Sequence, residues 1–313
     1  MCSASNGENR SAVESALSPN QGAIVNSQIV VEVEDLAFTY AGADKAAVSD
    51  LSFTVKPGEV FGFLGPSGAG KSTTQKILIG LLRGYRGSVR LLGTEVSEWR
   101  SDLYERVGVS FEFPTHYLKL TGLENLKYFG RLFAKSTREP RKLLESVGLE
   151  DSADMRVGQY SKGMKTRLGV ARALLHDPEL LFMDEPTAGL DPVSARLIKT
   201  LIKAQCDAGK TVFLATHDMA TVDELCARAA FIVEGKVSLI EDTQTLKHRY
   251  GSPTVRVEYL VDGKPSIAEF PLAGLGTNAG FQQLLLHHEI QTLHSQEATL
   301  ESVFIKVTGR ELT

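Results

Sequence analysis

The sequence predicts an α/β fold: a parallel β-sheet with helical crossovers, an antiparallel β portion, a helical insertion and a small C-terminal α/β appendage. Three observations carry this. The runs "VFGFLG" (60–65), "ELLFMDE" (179–185) and "TVFLATH" (211–217) are short and apolar throughout, as strands buried on both faces are. A helical pattern lies between the last two, and that spacing makes neighbouring strands parallel. Elsewhere, "IVVEVEDLAFTY" (29–40) and "AVSDLSFTV" (47–55) alternate apolar and polar residues, the mark of half-buried strands.

In chain order, "KPGE" (56–59) turns into the first buried strand, and "KSTTQKILIGLL" (71–82) then switches to helical spacing. Ile77, Leu78, Leu81 and Leu82 are expected on one side of that helix. Residues 95–160 are charged, with apolar residues every three or four positions, and read as an inserted helical subdomain. "DPVSARLIKTLIKAQCDAG" (191–209) is a helix with Pro192 in its first turn and Gly209 near its end. "FIVEGKVSLI" (231–240) is a hairpin about Glu234-Gly235. Beyond residue 244, "TVRVEYLVDGKPSIAEF" is a second hairpin turning at Asp262-Gly263. "TLESVFIKVTG" is a final helix with Leu300, Val303, Phe304 and Val307 on one face. The expected organisation is a polar, disordered tail over 1–27, a main domain over 28–243 and an accessory α/β domain over 244–313.

Composition narrows the function. The chain has 313 residues, 42% hydrophobic and 23% charged, enough for a sizeable core. A net charge of −4 argues against a nucleic-acid partner. Cys2, Cys206 and Cys226 are far apart and read as free thiols. No apolar run approaches the ~20 residues of a membrane span, and the N-terminus lacks a signal-peptide pattern. A cytoplasmic protein is expected, acting at a membrane only by docking.

"GPSGAGKST" (65–73) fits the phosphate loop G-x-x-x-x-G-K-[ST]. Gly65, Gly68 and Gly70, with Pro66, Ser67 and Ala69 between them, form a loop whose backbone N–H groups can approach phosphates. The loop opens a helix, whose N-terminus favours anions. Lys71 supplies a positive charge to the β- and γ-phosphates, Ser72 a hydroxyl to Mg²⁺, and Thr73 a hydroxyl within reach of the α-phosphate. Asp184 ends a buried strand and places a carboxylate near the metal. Glu185, beside it, can orient and deprotonate water. Ser161 stands where it can cap the helix "KGMKTRLGVARALL", and Gly163 permits close approach at this second anion site. His287-His288 read as surface histidines, and Trp99 carries no functional signal.

Together these residues resemble the ATP-binding cassettes of ABC transporters. "YSKGMKTRLGVARALLHDPELLFMDEPTAGLDP" is similar to the family's signature-through-D-loop stretch, and "TVFLATHDM" to its switch strand. The likeness runs from about 29 to 240. The end of the chain, "ATLESVFIKVTGREL", resembles that of ATP-binding subunits that pair with separate exporter permeases, and the whole chain looks most like the fluoroquinolone-export type of drug-exporter subunit. The resemblance implies a P-loop NTPase fold with antiparallel β and helical subdomains, and ATP and Mg²⁺ as ligands. It implies His217 as switch histidine and Tyr40 as the aromatic stacked on adenine. It further implies a head-to-tail homodimer, or a heterodimer with a similar chain, in which Ser161 and Gly163 cover the partner's phosphate loop. Ala188 and Asp191 would serve that interface. A separate membrane permease would be the second partner, at the cytoplasmic face of the membrane. Phe113, Pro114 and Tyr117 are the docking candidates, because exposed aromatics beside a mobile loop suit docking; plain core packing of the same stripe is the equal alternative. A soluble ATPase acting on DNA or ribosomes is the competing reading.

Two positions depart from the family pattern. Lys162 replaces the first glycine of the signature; its ammonium either stays in solvent or adds attraction for the partner's γ-phosphate. Glu112, ending "VGVSFE", stands where the family has a metal-touching glutamine. A carboxylate is also a hard oxygen ligand, so metal contact and a catalytic role are expected to survive, with altered charge. The alternative is a solvated loop residue with water in its place.

Overall fold

The computed structural model describes residues 29–310, apart from 252, 297 and 298. The expected tail and Cys2 lie outside the described residues. Strands β1 (Val31–Phe38), β2 (Val48–Val55) and β3 (Val60–Leu64) precede helix α1 (Lys71–Leu78). Then come β4 (Arg86–Leu91), β5 (Thr94–Glu95), β6 (Val107–Ser110), α2 (Gly122–Gly130), α3 (Pro140–Ser146) and α4 (Lys162–Ala173). Next are β7 (Leu180–Asp184), α5 (Pro192–Asp207), β8 (Thr211–Thr216), α6 (Met219–Leu225), β9 (Arg228–Val233), β10 (Lys236–Asp242) and α7 (Thr243–Tyr250). The chain closes with β11 (Thr254–Val261), β12 (Lys264–Pro271), α8 (Ala279–His287), β13 (Glu289–Gln296) and α9 (Leu300–Thr308).

The central sheet has the order β10-β9-β3-β8-β7-β6, parallel except for β10. Its apolar runs sort by parity, because successive side chains in a strand point to opposite faces. Phe61, Phe63, Phe182 and Phe213 join one core, whereas Val60, Leu64, Leu181, Met183, Val212 and Leu214 join the other. The antiparallel sheet β2-β1-β4-β5 covers the first face together with Ile77 and Leu78 of α1. Phe53 of that sheet lies 5.4–6.1 Å from Phe63 and Phe213, ring centroid to centroid. Helices α4 to α7 pack on the second face.

Three expectations change. Helix α1 ends at Leu78, not at 82, because Gly80 (φ 74°) is left-handed and closes a Schellman cap. Gly80 N donates to Ile77 O at 2.9 Å and Leu81 N to Lys76 O at 2.8 Å. Leu81 is left exposed and Leu82 only partly buried. The helical insertion is shorter than 95–160: Glu95 closes an antiparallel edge strand and β6 belongs to the central sheet, so its α-helices start at Gly122. The resemblance to the family implies a strand at "VGVSFE", and β6 is that strand; its four residues are too few to show a strand period of their own.

The C-terminal region also divides differently. Both expected hairpins form, turning at Glu234-Gly235 and Asp262-Gly263 with positive φ throughout. Strands β12-β11-β13 and α8 enclose a small core of Val255, Val257, Phe281 and Leu284. Leu300, Val303 and Phe304 of α9 are buried as their spacing requires, yet they join the main core with Leu246 of α7. Phe304 meets Phe231 of β9 edge-on at 5.2 Å. Residues 254–296 are thus a satellite unit held between two helices of the main domain.

The loop after β6 is tied down from its far end. His116 is buried, and its Nε2–H donates to Lys165 O of α4 at 2.9 Å. Arg172 donates to Thr115 O at 2.7 Å, and Asn125 exchanges hydrogen bonds with Tyr117 N and O at 3.0 Å each. Burial, with Arg172 and Lys165 nearby, lowers the His116 pKa to about 4.

Two outcomes follow. Phe304→Ala should shift the main urea transition by about 3 kcal/mol; an unchanged main transition would place α9 outside the main core. For His116 the folded pKa lies below the unfolded one. Its stabilising contribution is therefore complete above about pH 6.5 and lost as pH falls toward 4. His116→Gln, which keeps a donor, should lose about 2 kcal/mol less stability than the parent between pH 7 and 4, read from denaturation midpoints across pH.

Candidate functional site

The loop between β3 and α1 can take only certain residues. A Cβ at Gly65 would stand 2.1 Å from the carbonyl oxygen of Ile232. Gly70, the cap of α1, has φ 105°, a conformation open to glycine. Lys71 starts the helix and is buried. Its Nζ donates to Gly65 O at 2.7 Å and Pro66 O at 3.0 Å, closing the loop on itself. Burial lowers the Lys71 pKa, while Glu185, Asp184 and Glu112 pull it back up. Ala69 is buried and donates its N–H to Pro66 O, whereas Ser67 is exposed at the tip.

A cleft of about 270 Å³ opens here, lined by Tyr40, Gly68, Gly70, Lys71, Ser72 and Thr73. Tyr40 is 41% exposed, with its ring edge-on to Phe38 at 4.9 Å and its hydroxyl 3.2 Å from that of Thr73. A flat face is thus available beside the phosphate loop, as base stacking needs.

Two strands over, β7 ends at Asp184. Ser72 Oγ donates to Asp184 Oδ2 at 3.0 Å, linking the phosphate loop to the sheet. Asp184 Oδ1 is buried without any hydrogen-bond partner. Burial raises the Asp184 pKa to about 6, with Glu185 and Glu112 adding to the rise and the Ser72 bond opposing it. An orphaned carboxylate oxygen beside a hydroxyl is a donor set that suits a hard cation.

Glu185 follows in a left-handed conformation, φ 48°, its N–H bonded to Ala215 O at 2.9 Å. This strained turn holds the carboxylate at the sheet edge. Thr216 Oγ1 donates to Oε2 at 2.8 Å, and His217 donates to Oε1 through its backbone N at 2.9 Å and Nδ1 at 2.6 Å. Glu185 is buried and His217 about half exposed. A fixed, buried carboxylate reading outward through an exposed imidazole is suited to taking a proton from water.

The structure therefore brings together Tyr40, the 65–73 loop, Asp184, Glu185 and His217. Glu112 joins them at the rim: it is half-buried and acts electrostatically on both Lys71 and Asp184. Ser161 and Gly163 do not line this cleft. Ser161 caps α4 as expected, accepting from Met164 N at 3.1 Å. Gly163 faces the 188–191 loop: a Cβ there would meet Leu190 at 3.2 Å. Asp191 caps α5 by accepting from Val193 N and Ser194 N, a local reason for its presence. Trp99 donates to Leu91 O and packs under Arg106. His287 and His288 part company, the first ending α8 and the second lying near Tyr259. Thr216 was not anticipated as an orienting residue; its place immediately before His217 was the available signal.

A family model described as "ABC transporter" matches residues 48–188, and one described as "Fluoroquinolone efflux ABC transporter C-terminal domain" matches 253–297, nearly the limits of the satellite unit. The fluoroquinolones export ATP-binding protein of Mycobacterium tuberculosis is 53% identical over 91% of this chain and 95% of its own length. The Nod factor export ATP-binding protein I of Paraburkholderia xenovorans is 35% identical over 91% of this chain and 99% of its own. Among solved structures, the ATP-binding subunit of an ABC transporter is similar with a TM-score of 0.64 and 28% identity, over 71% of this chain and 93% of that one. A dimeric ATP-binding cassette bound to ADP and Pi is similar with a TM-score of 0.62 and 26% identity, over 68% and 98%. The phosphate loop, the Ser72–Asp184 link and the Glu185–His217 pair thus lie in a nucleotide-binding ATPase cassette, and the chain belongs to the family of ABC transporter ATP-binding subunits.

Proposed function

We propose that this chain is the ATPase subunit of a drug exporter, working as a head-to-tail dimer on a separate membrane permease. The Glu185–His217 pair beside the phosphate loop carries the ATPase reading, and the 253–297 match favours a fluoroquinolone-like substrate. The competing role on DNA or ribosomes is not favoured, since the relatives named above are export ATP-binding proteins that align over 91% of the chain.

The residues divide the work. Nucleotide phosphates replace the Gly65 and Pro66 carbonyls as partners of Lys71, and the N-terminus of α1 adds its dipole. Thr73 serves the α-phosphate and Tyr40 the adenine. The Ser72 hydroxyl, Asp184 and Glu112 would hold Mg²⁺, which when bound neutralises charge on the phosphates. Glu185 accepts the proton of the attacking water, with Thr216 and His217 fixing its carboxylate. Ser161 and Gly163 complete the partner's site, which is why they stand apart from their own cleft. Two identical chains form the dimer in the simplest assembly; a similar second chain satisfies the same geometry.

No helix among the described residues is long and apolar enough to cross a membrane. Attachment to the cytoplasmic face then runs through the permease. Phe113 and Tyr117 are 72% and 48% exposed, on a loop whose far end is anchored to α4, and with Pro114 they are the docking residues.

Glu185→Gln should lower ATP turnover by about 10²–10⁴-fold while nucleotide binding persists, and should trap a dimer that co-purifies with a polytopic membrane protein in mild detergent. Recovery of ribosomes instead would overturn the exporter reading. Glu112→Gln should keep most of the turnover and Glu112→Ala lose about tenfold or more. Parent-like turnover in the alanine variant would remove Glu112 from the metal set.

A further inference from the structure

Two consecutive side chains at the end of β6 serve different neighbours. Glu112 is half-buried and lies within electrostatic reach of Lys71 and Asp184. Phe113 carries the ammonium of Lys162 over its ring, 5.7 Å from the centroid. Glu112, Phe113 and Lys162 line one cleft of about 260 Å³. The stem of Lys162 also runs along the 188–191 loop: its Cδ is 3.7 Å from where a Cβ of Gly189 would stand.

A lysine is electrostatically misplaced at this position. Lys162 is the first residue of α4, at the positive end of the helix dipole, and the first turn holds no acidic residue. Lys165, also near the helix start, adds to the unfavourable charge. Lys162 is exposed, so solvent hydrates the ammonium, and the face of Phe113 adds a second favourable contact.

We propose that Lys162 is a positioning residue, which ties the signature end of α4 to Phe113 as its stem passes Gly189. The tie links the metal end of a chain's own nucleotide site, through Glu112-Phe113, to the Ser161–Gly163 end that serves its partner. It holds that end ready before the partner arrives, so less ordering is left for dimer formation. The proposal rests on the head-to-tail reading above.

The test is ATP-driven dimerisation of the full chain in the Glu185→Gln background, followed by sedimentation velocity across a Mg-ATP titration without permease. Lys162→Met should raise the ATP concentration for half-dimerisation about 3- to 5-fold. Phe113→Leu should do the same, and the double variant should be no worse than either single one. Lys162→Arg, which keeps the cation on the ring, should restore the parent midpoint. ADP affinity and Tm should stay at parent values in all of them, which separates positioning from general structural damage. A parent-like midpoint for Lys162→Met, an additive double variant or failure of the arginine rescue would each overturn the proposal. Failure of the Glu185→Gln parent itself to dimerise would instead remove the head-to-tail reading, and the positioning role with it.

Discussion

Burying Lys71 beside Asp184 and Glu185 is the constraint on which the rest of the structure depends. Three ionisable groups leave bulk water at one edge of a sheet, and each demands compensation. Lys71 bonds two carbonyls of its own loop, and Glu185 is held by Thr216 and His217. Asp184 receives one hydroxyl and keeps one oxygen without a partner. The cluster forms because β3 and β7 flank β8 in the central sheet and run parallel to it. Their C-terminal ends therefore deliver the phosphate loop, the Asp184-Glu185 pair and His217 to one place. Tilted phenylalanine pairs, with centroids 5.3–6.0 Å apart, pack the strands behind this edge while the edge itself is left incompletely satisfied.

Much of this was legible in the residues. Side-chain chemistry at fixed spacing named Lys71, Ser72, Asp184 and Glu185, and the uniform apolar runs located β3, β7 and β8. Periodicity reports that a face is buried, not what buries it. The α9 stripe was readable, but its docking on Phe231 was not, because the partner lies about 70 residues away in sequence. The end of α1 was written in Gly80, yet Leu81 and Leu82 prolonged the apolar pattern past it. Asp191 has a local role that its motif position does not announce: it caps α5 by accepting from Val193 N and Ser194 N. His116 carries no motif, since its anchoring depends on a backbone carbonyl of another element.

The satellite unit at 254–296 follows from the same physics of burial. Its core has four buried hydrophobic residues, too few to support a domain of that size unaided. Helices α7 and α9, on either side of it in sequence, are embedded in the main core and fix both of its ends. It can therefore vary in sequence and in surface without disturbing the catalytic edge.

The central proposal is that the partly buried Ser72–Asp184 pair is half of a metal–nucleotide site. Calorimetric titration of ATP into the parent and Asp184→Asn proteins, each with Mg²⁺ and with EDTA, tests it most directly. Asparagine keeps the acceptor for Ser72 but removes the charge. The account predicts that Mg²⁺ tightens ATP binding by about tenfold or more in the parent and has little effect in Asp184→Asn. Equal tightening by Mg²⁺ in both proteins would contradict it.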